Sequence, residues 1–258
     1  MIIKRDCIYP PKGKNRPLHI YLPDDYDQTG EHYPVMYFFD GHNLFSDQDA
    51  TYGKCWGLKE FLDSWDMKMI IVSMECGHEG NERLSEYLPY PASRAIPIPG
   101  LKPLGDATMQ WIVNDIKPMI DAEYRTLPSR EHTGIGGSSM GGLMAIYGGT
   151  QYNRWFSRAA CVSSAFGFCV RSAMRHLRQT NLEPNSRFYL SWGTKEAWGI
   201  RNPDREDRSS KTYAQNKKAA EILREKGAQV KMYCQIGGKH CEADWEKQLP
   251  ILMNYLWK

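Results

Sequence analysis

The sequence predicts an α/β fold, with a mostly parallel sheet of about eight strands and helices on both faces. Two observations carry this. Short β-rich runs recur along the chain, and most are continuously apolar rather than alternating, as strands covered on both faces require. Helical stretches separate the later runs, so strand and helix alternate.

The runs fall at residues 2–9, 18–22, 35–40, 69–74, 132–136, 158–163, 187–192 and 230–235. Val35-Met36-Tyr37-Phe38-Phe39 and Ile70-Ile71-Val72 are the clearest. The first two runs differ. Pro10-Pro11-Lys12-Gly13-Lys14-Asn15 joins them, a turn-rich link short enough for an antiparallel hairpin. Asp106 is placed to cap a helix through Tyr124, with Met109, Ile112, Val113, Ile116 and Ile120 at core spacing and a kink or break expected at Pro118. Another helix should start straight after Ser139. A further one should run from Ser209 or Ser210 through Ala219, Ala220, Ile222 and Leu223 to Gly227, and a last one over 245–257. Residues 77–105 are proline-rich and without clear periodicity, and are read as a lid or substrate loop.

At 258 residues the chain suits one domain spanning 1–258. Hydrophobic residues at 41% and charged residues at 24% mark it as globular rather than disordered. The net charge of +3 is spread over interleaved acids and bases, which excludes a nucleic-acid footprint. No apolar run approaches the roughly 18 residues of a membrane span, and the N-terminal residues show no apolar signal region. The seven cysteines are odd in number and form no C-x-x-C, so reduced, buried thiols and a cytoplasmic location are expected.

The chemistry centres on Gly137-Ser138-Ser139-Met140-Gly141, a G-x-S-x-G. The pentapeptide alone is common enough to arise by chance. Here an apparent strand precedes it and the helix-forming Leu143-Met144-Ala145-Ile146-Tyr147 follows, the strand–turn–helix setting of a nucleophile elbow. Register selects Ser139 over Ser138, because a pentapeptide centred on Ser138 would end on Met140 instead of glycine. A serine hydroxyl needs a base, and in an α/β-hydrolase the order is Ser, then Asp or Glu, then His. Only His176 and His240 follow Ser139. His176 lies in a basic helical stretch and reads as a surface histidine. His240 follows the last strand in the turn Gly237-Gly238-Lys239-His240 and is the candidate base. Glu196 is the first carboxylate past the 187–192 strand and the candidate acid, with Asp204, Glu206 and Asp207 in the charged run 201–211 as rivals, Asp204 and Asp207 foremost. The oxyanion donors should be the amides of Met140 and of His42, with Asn43 in reserve. His42 stands near Asp40 and Asp47, yet no matching ligand cluster accompanies it in the sequence, so neither a metal nor an organic cofactor is expected. Trp56, Tyr87, Tyr90 and Trp198 fall in loops flanking the site and are candidates to line an aromatic acyl or sugar pocket.

Several segments together resemble the esterase D / putative esterase family of α/β-hydrolases. They are Tyr33-Pro34-Val35 through Asp40-Gly41, Glu86-Tyr87-Leu88-Pro89, Ile116-Lys117-Pro118 through Tyr124-Arg125-Thr126, Gly136 through Gly142, Gly193-Thr194-Lys195-Glu196 and the His240 segment. The group includes feruloyl and acetylxylan esterases, S-formylglutathione hydrolase, enterochelin esterases and mycolyltransferases. The resemblance covers nearly the whole chain. It implies an α/β-hydrolase fold with nucleophile, acid and base at Ser139, Glu196 and His240, and oxyanion donors at His42 and Met140. Many members carry His-Gly where this chain has Asp40-Gly41, and Asp where it has Glu196.

The expected function is therefore carboxylic ester hydrolysis through an acyl-enzyme. The substrate is expected to be a small-acyl or hydroxycinnamoyl ester of a carbohydrate. Three alternatives use the same scaffold: an acyltransferase with the same triad, an S-formylglutathione-type thioesterase, and a catalytically silent carbohydrate-binding protein. Oligomeric state is not readable.

Overall fold

The apolar run Val35–Phe39 has no polar face to give to water, so it must lie inside the molecule. In the computed structural model, which describes residues 1–93, 96–196 and 203–258, it is a central strand whose five side chains are all buried. The described strands are β1 Ile2–Arg5, β2 Ile8–Tyr9, β3 Lys14–Asn15, β4 Leu18–Tyr21, β5 Val35–Phe39, β6 Ile70–Met74, β7 Thr133–Ser138, β8 Arg158–Val162, β9 Arg187–Gly193 and β10 Gln229–Gln235. Eight form one sheet in the order β1-β4-β6-β5-β7-β8-β9-β10. β4 pairs antiparallel with β1 and β6, and the other neighbours are parallel. The first run is interrupted after Arg5. There the Asn15 side chain accepts from the Cys7 amide at 3.0 Å and donates to Asp6 at 2.6 Å, which sets β2 and β3 apart as a small ribbon.

The helices are α1 Leu58–Ser64, α2 Glu82–Glu86, α3 Gly105–Trp111, α4 Lys117–Glu123, α5 Met140–Gln151, α6 Val170–Gln179, α7 Lys211–Glu225, α8 Glu242–Glu246 and α9 Leu249–Trp257. Alternate residues of β5 feed two cores. Tyr37 and Phe39 join the helices α3 to α7 on one face, and Met36 and Phe38 join α1, α8 and α9 on the other. α7 starts as expected, with the Ser210 hydroxyl accepting from the Tyr213 amide at 3.1 Å, and stops before Gly227, whose φ is +85°.

The 106–124 expectation needs correcting in two details. Asp106 does not cap the helix, which begins at Gly105; its carboxylate instead accepts from the Tyr147 and Tyr152 hydroxyls at 2.7 and 2.8 Å. The irregularity lies before Pro118, in a π-helical turn at Ile112–Ile116, and Pro118 sits in the first turn of α4, where its missing N–H costs nothing. The last helix is likewise two pieces, α8 and α9, with Pro250 opening the second. Helices α1 and α2 were not visible in the periodicity, being too short to show one.

Sequence order reverses at β5, whose neighbours are β6 and β7. The carboxyl ends of the strands at this switch point are where open α/β sheets bind ligands. The residues after β5 and β7 are Asp40-Gly41-His42 and Ser139. All seven cysteines are free thiols; Cys55, Cys76, Cys161 and Cys169 are buried, and the other three are partly so. Among the described residues no helix is long and apolar enough to cross a membrane.

Candidate active site

Ser139 sits between β7 and α5 with φ 58° and ψ −118°, a backbone conformation that costs a non-glycine residue of order 1–3 kcal/mol. Three hydrogen bonds hold it there. Its amide donates to Val162 O at 3.0 Å, and its carbonyl accepts from the Leu143 and Ala165 amides at 3.1 and 2.9 Å. The turn closes only around glycines: a Cβ on Gly137 would lie 2.8 Å from the Gly141 carbonyl carbon. Ser138 is buried, whereas Ser139 is half-buried and reachable. The first-turn amides of α5, Met140 among them, have no carbonyl of their own helix to bond and stand beside Ser139.

His240 and Glu196 meet beyond the ends of β10 and β9. His240 Nδ1 is 3.4 Å from Glu196 Oε2, an ion-pair separation. The loop carrying His240 packs directly on the end of β9, and a Cβ on Gly193 would fall 2.2 Å from Gly238 O. Glu196 is buried, and its Oε1 accepts from the Ser163 hydroxyl and from the Gly193 amide, the latter at 2.7 Å. Ser163 in turn accepts from the Trp245 indole N–H at 3.1 Å. Trp245 closes the circuit with its ring edge-on to His240, centroids 5.0 Å apart. Of the rival acids, Asp207 spends its carboxylate on the Ser209 amide and hydroxyl at 2.9 and 2.6 Å.

The β5 end is shaped by charge. Asp40, with φ 58°, is buried and held by Arg83 through two bonds of 2.7 Å. Burial alone would raise the Asp40 pKa, but the Arg83 charge and hydrogen bonds override it and hold the carboxyl below its usual range. Tyr87 accepts from the Asp40 amide at 3.2 Å. The Asn43 amide donates to Asp40 O at 2.9 Å. Burial pushes the His42 imidazole down, towards its neutral form. Glu242, at the start of α8, is also buried, and burial pushes its carboxyl up.

Two of the aromatic candidates belong to the packing beneath the site. Trp56 is 2% exposed against Phe38 and Trp245, and Tyr87 is 2% exposed against Phe39. Tyr90 is half-buried on Tyr147, and Trp198 lies outside the described residues. His176 is not the surface residue expected. It is half-buried against Tyr90 and Tyr147, and burial lowers its pKa to about 4. Ser163, Arg83, Trp245 and Glu242 were missed by sequence reasoning, because none lies in a motif: Arg83 comes from α2, Trp245 and Glu242 from α8, and Ser163 from the residue after β8.

The first half of the 77–105 segment is tied down. Glu86 accepts from Arg16 Nη2 at 2.5 Å and from the Gly77 amide at 2.8 Å, and Glu82 accepts from Arg16 at 3.1 Å. With Arg83 on Asp40, this anchors α2 to both the β4 side and the β5 end.

A doubly covered, mostly parallel sheet with a strained serine between strand and helix at its switch point defines an α/β-hydrolase. The chain belongs to the Putative esterase family, whose model matches residues 12–255. With that family it is a carboxylic ester hydrolase. It is 25% identical over 254 residues to the uncharacterized protein YbbA of Bacillus subtilis, covering 95% of this chain and 94% of that one. Among solved structures it is similar to an IroE-like serine hydrolase from Shewanella oneidensis, with TM-score 0.75 and 18% identity over 98% of this chain and 79% of that one. A ferulic acid esterase is also similar, with TM-score 0.67 and 16% identity over 99% and 97% of the two chains.

Proposed function

We propose that the protein is a serine esterase in which Ser139 attacks the ester carbonyl and His240 takes its proton. Glu196 holds the His240 imidazole in the tautomer with its proton on Nδ1 and stabilises the imidazolium that forms. The oxyanion is received by the amides of Met140 and His42. Asn43 is the weaker choice, because its amide is committed to the Asp40 carbonyl. His240 then protonates the leaving alcohol, and water activated by the same imidazole releases the acid. The observation that carries this reading is the strained Ser139 on the same sheet edge as a 3.4 Å His240–Glu196 pair.

For the substrate we put a small-acyl ester ahead of a hydroxycinnamoyl ester. Burial of Trp56 and Tyr87 removes two of the aromatic faces that would flank a large acyl ring. A carbohydrate alcohol suits the leaving-group side, since the His240 side chain is 43% exposed and a polar alcohol can remain hydrated there. The test is turnover of p-nitrophenyl acetate, p-nitrophenyl butyrate and methyl ferulate by wild type and by Ser139→Ala. Wild-type turnover of acetate above ferulate, lost in the variant, is expected. Ferulate in first place would reverse the substrate order, and undiminished turnover by the variant would remove Ser139 from the mechanism.

A further inference from the structure

We propose that His42, Cys76 and His78 form a binding site for a divalent cation that prefers sulfur and imidazole ligands, with zinc the best match. The sequence keeps these residues apart, but β5 and β6 are parallel neighbours and their carboxyl ends release His42 on one side and Cys76 and His78 on the other. One ligand atom from each residue lies within 4.8 Å of the other two.

The side chains are already oriented as metal ligands would be. His42 is 6% exposed, and its Nε2 is engaged by the Thr51 hydroxyl at 3.0 Å. Among the described residues its buried Nδ1 has no hydrogen-bond partner, an expensive condition for a polar atom and the position from which an imidazole would ligate. His78 has its Nε2 3.2 Å from Glu75, whose other oxygen is 2.6 Å from His19 Nε2. A carboxylate on the far nitrogen of a ligating histidine is the usual outer support of such sites, and it leaves Nδ1 of His78 for the cation. The two imidazoles meet edge to face, centroids 4.7 Å apart.

Cys76 supplies the sulfur and is buried. On coordination the thiol proton passes to solvent and the sulfur binds as thiolate. A sulfur and two imidazole nitrogens suit zinc and exclude magnesium and calcium, which require oxygen. Zinc bonds of about 2.0–2.3 Å bring tetrahedral ligand atoms to about 3.5 Å apart, so ligand atoms that now lie within 4.8 Å of one another close to that spacing on binding. The His78 side chain, 55% exposed, is free to make that movement and leaves the site open to solvent.

The experiment reads binding rather than turnover, so it stands or falls independently of the esterase mechanism. Protein freed of metal with EDTA is titrated calorimetrically with ZnCl2 and, separately, with CoCl2 under an ultraviolet–visible spectrometer. One zinc per chain is expected, together with a thiolate-to-cobalt charge-transfer band. His78→Ala should weaken zinc at least about tenfold, Cys76→Ser should abolish the charge-transfer band, and His132→Ala, remote from the cluster, should match wild type. Failure to bind zinc stoichiometrically, or an affinity unchanged in His78→Ala, overturns the site. Should Cys76→Ser not fold, His78→Ala, altering a half-exposed ring, decides the matter alone.

Discussion

Ser163 carries one hydroxyl proton and gives it to Glu196, while its lone pair receives the Trp245 indole. We assign it a positioning role, in which it fixes the carboxylate that faces His240. Ser163→Ala should lower kcat by about tenfold with KM unchanged. Glu196→Ala should cost about ten- to ten-thousand-fold in kcat/KM, and Asp207→Ala little, since the Asp207 carboxylate caps the turn before α7. If instead Asp207→Ala cripples turnover, the acid is wrongly assigned. His176 gives a pH test. Its folded pKa of about 4 lies below the roughly 6.5 of an unfolded histidine. The unfolded chain therefore binds the extra proton between these values, so the stability present above pH about 6.5 is lost as pH falls towards 4. His176→Gln should flatten stability against pH across that window, as read by urea unfolding.

At the level of elements, the site depends on close backbone contacts more than on side chains. β9 and the His240 loop touch at Gly193, where any Cβ meets the Gly238 carbonyl at 2.2 Å. Gly193→Ala must push that loop away. We expect a loss of about 1–3 kcal/mol in stability and a fall in kcat larger than that loss alone would cause, because the displaced loop carries the proposed base. Circular dichroism with steady-state kinetics separates the two. The same logic fits α5, which follows Ser139 without a spacer: its first-turn amides can serve the proposed nucleophile only if the helix starts there.

The whole molecule is joined across its active edge by Arg83, which links α2 in the 77–105 segment to the end of β5. Removing it leaves Asp40 buried without its guanidinium counter-charge. Arg83→Ala should destabilise the protein by about 3–5 kcal/mol. It should also move acid unfolding to higher pH. With Arg83 present the folded Asp40 pKa lies below its unfolded value, so its stabilising contribution is full above pH about 4 and is lost only as pH falls through the lower folded value. Without Arg83 burial prevails, the folded pKa rises, and protonation favours folding where ionisation did before. Unfolding followed by circular dichroism against pH in both proteins tests this; coincident curves would show that the pair does not govern acid stability.

By itself the sequence determined the local matters: the buried strands, from continuous apolar runs such as Val35–Phe39; the elbow at Ser139, from glycines whose steric need is local; and the start and stop of α7, from Ser210 and Gly227. That Glu196 and His240 would lie together was legible because each follows a strand end that a parallel sheet places on one edge. Tertiary structure alone decided which side chains meet across loops. Only packing puts Ser163 under Glu196, Arg83 on Asp40, and Trp56 and Tyr87 in the core instead of on a pocket wall. The cluster of His42, Cys76 and His78 is of the same kind, since adjacency of parallel strands is a property of the sheet order, and that order leaves no spacing in the sequence to read.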